Sequence, residues 1–135
     1  MRIDDAKLKA LISGAKKAGL NAYAPYSSYE VGAAVMTDEG KIYLGCNVEN
    51  ASFGLSVCAE RVAIQNAISN GERRITAVAV ATRDKDMPKP CGACLQVIAE
   101  FADESALIVT ISENGAYDVR TLADYLPRPF KLGVD

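Results

Sequence analysis

From Asp4 onward the chain spaces Leu8, Leu11, Ile12 and Ala15 three and four residues apart, which puts them on one side of a helix. Asp4 and Asp5 can cap that helix and Gly19 sits where it would stop. The period then changes. Tyr29 to Thr37 is rich in β-branched and small apolar residues, Asp38-Glu39-Gly40 is a turn signal, and Lys41 to Cys46 resumes as a second strand, so a β-hairpin is predicted. A polar stretch from Asn47 to Ser56 follows. Cys58 to Asn70 returns to helical spacing, with Ala63, Ile64, Ala67 and Ile68 on one side, Ser56 as its cap and Gly71 as its stop. Ile75 to Thr82 is an apolar run of strand length, and Asp84 to Pro90 is a polar loop. Pro90 suits the start of a helix with Cys94, Ile98 and Phe101 on one face. A strand from Ala106 to Ile111, a turn at Glu113-Asn114-Gly115, a short strand near Tyr117 to Val119 and a helical turn from Thr121 complete the pattern. Strands and helices alternate after the hairpin, which predicts an α/β sheet with helices on its faces.

Composition narrows what such a fold can do. A chain of 135 residues with no internal repeat or linker is the size of one domain, residues 1–135. Its 17 acidic and 15 basic residues are spread along the chain, so no basic surface is offered to a large nucleic acid or an anionic membrane. With no basic, apolar leader and no apolar run long enough to span a bilayer, a soluble cytoplasmic protein is expected. Thiols stay reduced in that compartment, and four cysteines there point to metal or catalysis more than to disulfides. The chain has no histidine. That excludes a Ser-His-Asp triad, a Cys-His pair and every zinc site containing histidine, leaving sulfur and carboxylate as the side-chain ligands for a transition metal.

The sulfurs carry the chemistry. Cys91-Gly92-Ala93-Cys94 alone is an ambiguous CxxC, but Cys58 opens the earlier helix with Glu60 two residues on, so two helix N-termini each present sulfur. The positive end of a helix favours thiolate. Cys58, Cys91 and Cys94 would leave one position of a tetrahedral zinc open for water, the mark of a catalytic site. Glu60 would carry protons for that water, and Arg61 would offset the negative charge that three thiolates leave on the ion. Two other readings use the same residues: a closed four-sulfur structural site that includes Cys46, and a redox pair at Cys91 and Cys94. A third is a binding module on a degenerate site.

Cys58-Ala59-Glu60 with Pro90-Cys91-Gly92-Ala93-Cys94 resembles the C-x-E…P-C-x-x-C signature of zinc deaminases in its three-cysteine form. The chain more specifically resembles the short, homotetrameric cytidine deaminases, through Ala22 to Ser27, Val31 to Ala34, Gly45 to Ala51, the two metal motifs, and Leu126-Pro127 with Phe130. The resemblance implies a three-layer fold around a mixed five-stranded sheet and one zinc ion per subunit. It also implies hydrolysis of the 4-amino group of free cytidine or deoxycytidine, with attack at C4 and Glu60 protonating N3 and the departing amine. By the same likeness Asn47 and Glu49 would bind the ribose hydroxyl, the Ala59 N–H the base carbonyl, and Tyr29 would pack on the base. Ala51, Phe53 and Phe130 would reach a neighbouring subunit's pocket, in a tetramer with shared active sites. The chain departs from the family's usual pattern at Tyr29, where Phe is common, at Phe53, where Tyr is common, and at Leu95, where Arg is common beside the last cysteine.

Overall fold

A computed structural model describes residues 3–133. Helix α1 (Asp5–Gly19) begins at Asp4, whose carboxylate accepts the Lys7 N–H at 2.8 Å, while Asp5 lies in the first turn. Strands β1 (Val31–Thr37) and β2 (Ile42–Cys46) form the hairpin, turning at Gly40 with φ +83°. Helix α2 (Ala59–Ser69), strand β3 (Ile75–Thr82), helix α3 (Gly92–Phe101), strands β4 (Leu107–Ile111) and β5 (Tyr117–Thr121), and the short α4 (Leu122–Tyr125) follow. Thr121 and Asp124 cap α4 reciprocally.

The five strands lie in the order β2-β1-β3-β4-β5. β1 is antiparallel to β2 and β3, β3 is parallel to β4, and β5 returns antiparallel. The parallel step needs a crossover, and α3 supplies it. One face of the sheet packs on α2 and α3 through Ala63, Ile64, Leu95 and Ile98, and the other on α1 through Leu11 and Ala15. Helices on both faces, which the alternation of strands and helices predicts, and a mixed sheet between them make the three layers that the family resemblance implies.

Two glycines set how closely the layers approach. A Cβ on Gly32 of β1 would stand 2.0 Å from the Ala15 carbonyl oxygen, and one on Gly45 of β2 would stand 2.3 Å from the Ala63 nitrogen and 2.7 Å from the Ala59 oxygen. Helix α2 therefore lies backbone to backbone on β2. Gly45→Ala forces α2 outward, so we expect a destabilisation of about 3 kcal/mol and a melting point lowered by roughly 10 °C. A thermal melt checks this; an unchanged melting point would mean that α2 is not seated on the strand.

Three local expectations differ from the structure. β1 starts at Val31 and not Tyr29, because Ser28 takes a left-handed φ of 60° and the Asn47 side chain takes over the Val31 N–H and the Tyr29 carbonyl. Cys58, not Ser56, is the N-cap of α2; the Ser56 hydroxyl instead accepts the Asn50 N–H at 3.0 Å. Pro90 stands one residue before the Cys91 cap and so outside α3.

Candidate metal centre and active site

β3 leads through residues 83–90 into α3, so the N-terminus of α3 sits beyond the carboxyl end of β3, next to the start of β1 that pairs with it. β2 ends at the same edge, and its continuation through Asn47 leads to the N-terminus of α2. Ligand sites in α/β sheets collect at such strand ends.

Cys58 caps α2, Cys91 caps α3, and Cys94 is the third residue of α3. Neither capping cysteine makes a side-chain cap hydrogen bond. An oxygen cap would stabilise each helix by about 1 kcal/mol, so this sequence forgoes local stability to aim sulfur elsewhere. The three sulfurs lie within 4.8 Å of one another, with Cys91 and Cys94 3.5 Å apart. Ligands on a tetrahedral zinc with Zn–S near ~2.3 Å stand about 3.8 Å apart. The cluster fits that ion.

Cys46 is not part of it. Its thiol is half-buried, not sequestered in the core, and donates to the Asn21 carbonyl at 3.5 Å. The fourth position of a zinc held here is thus not taken by that sulfur.

Electrostatics agree with the sulfur geometry. The Cys94 thiol donating to Cys58, together with the Arg61 guanidinium, pulls Cys58 down to about 5, so the metal-free cluster already holds a thiolate there. Donating to that thiolate and being buried push Cys94 up. Metal binding must displace its proton, and zinc affinity accordingly falls as pH falls. Arg61 Nη2 lies 3.4 Å from Cys58 Sγ, its pKa is raised by that contact, and its Nε is buried with no hydrogen-bond partner among the described residues. Holding a guanidinium there makes sense beside a cluster of net negative charge.

Glu60, the second residue of α2, is 4 % exposed, and burial followed by the charge of Cys58 pushes its carboxyl up to about 6. A carboxyl so poised can both take and return a proton near neutral pH. It lines a cavity of about 280 Å³ with Cys58, Cys91, Ala59, Tyr29, Asn47 and Glu49. Seven of the sequence-predicted residues therefore meet around one space. Arg61 stands behind the sulfurs, while Ala51, Phe53 and Phe130 are exposed and do not line the cavity.

The remaining walls are Val31, Ser56, Val57, Val80, Pro88 and Lys89. Their residue types give no signal in the sequence, since the valines read as ordinary strand and loop residues; only Lys89, a cation directly before Pro90-Cys91, stands out. Leu95, which brings no charge beside the last cysteine where Arg is common in the family, is a core residue, buried with Ile98 against the sheet.

Fewer protein ligands than a tetrahedral ion requires, beside a carboxylate held out of water, is an arrangement for activating water, and it places the chain among metal-dependent hydrolases. Comparison with known proteins narrows the class. Residues 5–110 match the model of the cytidine and deoxycytidylate deaminase zinc-binding region. A cytidine deaminase of Sporosarcina psychrophila is 42% identical over 123 residues, covering 91% of this chain and 90% of that protein. The crystal structure of a cytidine deaminase from Burkholderia pseudomallei superposes with a TM-score of 0.86 at 44% identity, covering 90% of this chain and 98% of that one. That of the Mycobacterium tuberculosis cytidine deaminase gives 0.82 at 36% identity over 97% of this chain and all of that one. The chain belongs to the cytidine and deoxycytidylate deaminase family, whose matched region is zinc-binding, and its sulfur cluster fits a zinc site.

Proposed function

We infer that the chain, as one domain over residues 1–135, hydrolyses the 4-amino group of free cytidine and deoxycytidine, releasing ammonia and leaving uridine or deoxyuridine, a pyrimidine-salvage reaction. The observation that carries this reading is the three-sulfur cluster, whose Cys58 and Cys91 line the same small cavity as a buried glutamate. At about 280 Å³ the cavity is at the small end for small-molecule sites, which suits a free nucleoside and not a polymer. Cys58, Cys91 and Cys94 would hold one zinc ion per subunit, which would acidify a water for the attack.

Glu60 takes a proton from the attacking water, delivers it to N3 of the base, and then serves the departing amine. Ala59, the first residue of α2, has an N–H without an intrahelical acceptor, which is free to bind the base carbonyl. Tyr29 packs against the base. Asn47 holds the entry to β1, accepting the Val31 N–H at 3.0 Å and donating to the Tyr29 carbonyl at 2.7 Å, and its remaining N–H and lone pair are available to a sugar hydroxyl. Glu49 takes the same hydroxyl.

Ala51, Phe53 and Phe130 complete the pocket of a neighbouring subunit in a homotetramer with shared active sites. Supporting this, Phe53 is 72% and Phe130 69% exposed, on the short turn Phe53–Leu55 and near the last described residue, and large apolar side chains so placed are suited to covering by another chain. No described helix is long and apolar enough to cross a membrane. A cytoplasmic location suits a site that needs reduced thiols.

Ammonia release from cytidine, deoxycytidine, cytosine and adenosine, with zinc measured on the same sample, tests the assignment. Turnover of the two cytidine nucleosides well above the others is expected. A zinc-replete sample inactive on both would overturn the substrate and leave the metal site standing.

A further inference from the structure

Ser27 belongs to a run that marks the family likeness, yet the chemistry above gives it no task. It does not line the cavity, and what it touches does. Its hydroxyl donates to Glu49 Oε2, and its Oγ accepts the Tyr29 N–H at 3.0 Å. Glu49 Oε1 accepts the N–H groups of Tyr26 at 2.9 Å and Ser27 at 3.2 Å. Between the two bonded residues the backbone is strained, since Ser28 holds a left-handed φ of 60° without being glycine. Tyr29 is fixed on its other side by Asn47. The base-packing Tyr29 and the sugar-binding Glu49 are thus joined through one hydroxyl, in a donor–acceptor chain whose members polarise one another.

We propose that Ser27 is a positioning residue for sugar recognition: it orients the Glu49 carboxylate and anchors Tyr29, so that the site meets the sugar hydroxyl already arranged. This rests on the reading that Glu49 binds that hydroxyl. Three of roughly four lone-pair positions on the carboxylate are taken by the 26–27 turn, which leaves about one free for substrate. Removing the Ser27 hydroxyl frees Oε2, deprives the Tyr29 N–H of its acceptor, and lets Ser28 relax out of its strained conformation. Binding must then order the turn, and affinity falls without any lost contact to substrate. The reacting atoms lie elsewhere, between the sulfurs and Glu60, so the chemical step is spared.

The test measures kcat and KM for Ser27→Ala, Ser27→Thr and Glu49→Gln on deoxycytidine and on 2′,3′-dideoxycytidine, which keeps the 5′-hydroxyl and lacks the 3′-hydroxyl that Glu49 is read to bind. Ser27→Ala is expected to raise KM for deoxycytidine about tenfold, to leave kcat within about twofold, and to raise the dideoxy KM by a clearly smaller factor, that of the loosened Tyr29 alone; Ser27→Thr, which keeps the hydroxyl, should restore the wild-type value. Glu49→Gln should show the same substrate selectivity. If Glu49→Gln is selective for the hydroxyl and Ser27→Ala is not, the role of Ser27 is overturned alone. If Glu49→Gln affects both nucleosides equally, Glu49 does not hold the 3′-hydroxyl and the proposal fails with that reading.

Discussion

Glu60→Gln keeps its zinc and loses cytidine turnover by about 10³- to 10⁴-fold, the range expected when a positioned proton carrier is removed. The substitution is nearly isosteric and leaves the sulfurs untouched, so the metal stays. Burial already disfavours the charge on Glu60, and a neutral amide in the same place costs the fold nothing on that account. Stability should hold or rise slightly. What disappears is a group able to accept a proton from water and pass it to the base, because an amide does neither near neutral pH. Zinc content, melting point and kcat on one preparation separate these effects. Turnover retained within tenfold would remove Glu60 from the mechanism, whereas loss of zinc along with turnover would recast it as a ligand.

Cys94→Ser should abolish activity by more than about 10⁴-fold and, unlike the first variant, strip the metal as well. Cys94 is fully buried beside both other sulfurs, and a serine hydroxyl is too weak an acid to replace a thiolate on zinc. Two sulfurs do not hold the ion against dialysis with a mild chelator. Arg61 is then left beside a cluster with less negative charge to face, and local stability at the two helix starts falls with the metal. Cys46→Ser is the matched control, one sulfur removed from outside the cluster, and it should retain one zinc per chain. Loss of zinc in that control would favour the closed four-sulfur site.

The sequence exposed the metal centre almost completely and the pocket only in part, for a physical reason. Cys58, Glu60, Cys91 and Cys94 act through short-range spacing on two helix starts, and the absence of histidine removed the competing ligand sets. The layers were legible from periodicity, because apolar faces of α1, α2 and α3 must meet a sheet. The exact edges of elements were not, since they turn on tertiary bonds: Asn47 reaches back sixteen residues to end the extended run before Val31, and Ser56 is spent on Asn50. The burial of Leu95 in the core is likewise a tertiary fact that its place after Cys94 does not show. Val80 and Lys89 join the cavity only when β3 and the loop after it fold beside α2, and Ser27 gains meaning only from a partner twenty-two residues away.

The proposed chemistry depends most on a zinc ion held by three cysteines with one position open. X-ray absorption at the zinc edge of the purified protein tests this directly, because sulfur and lighter ligands differ in scattering and distance. The predicted result is one zinc per chain with three sulfurs at ~2.3 Å and a single oxygen or nitrogen near ~2.0 Å. Four sulfurs around the ion, or a metal-free Cys91–Cys94 disulfide in freshly purified protein, would contradict it.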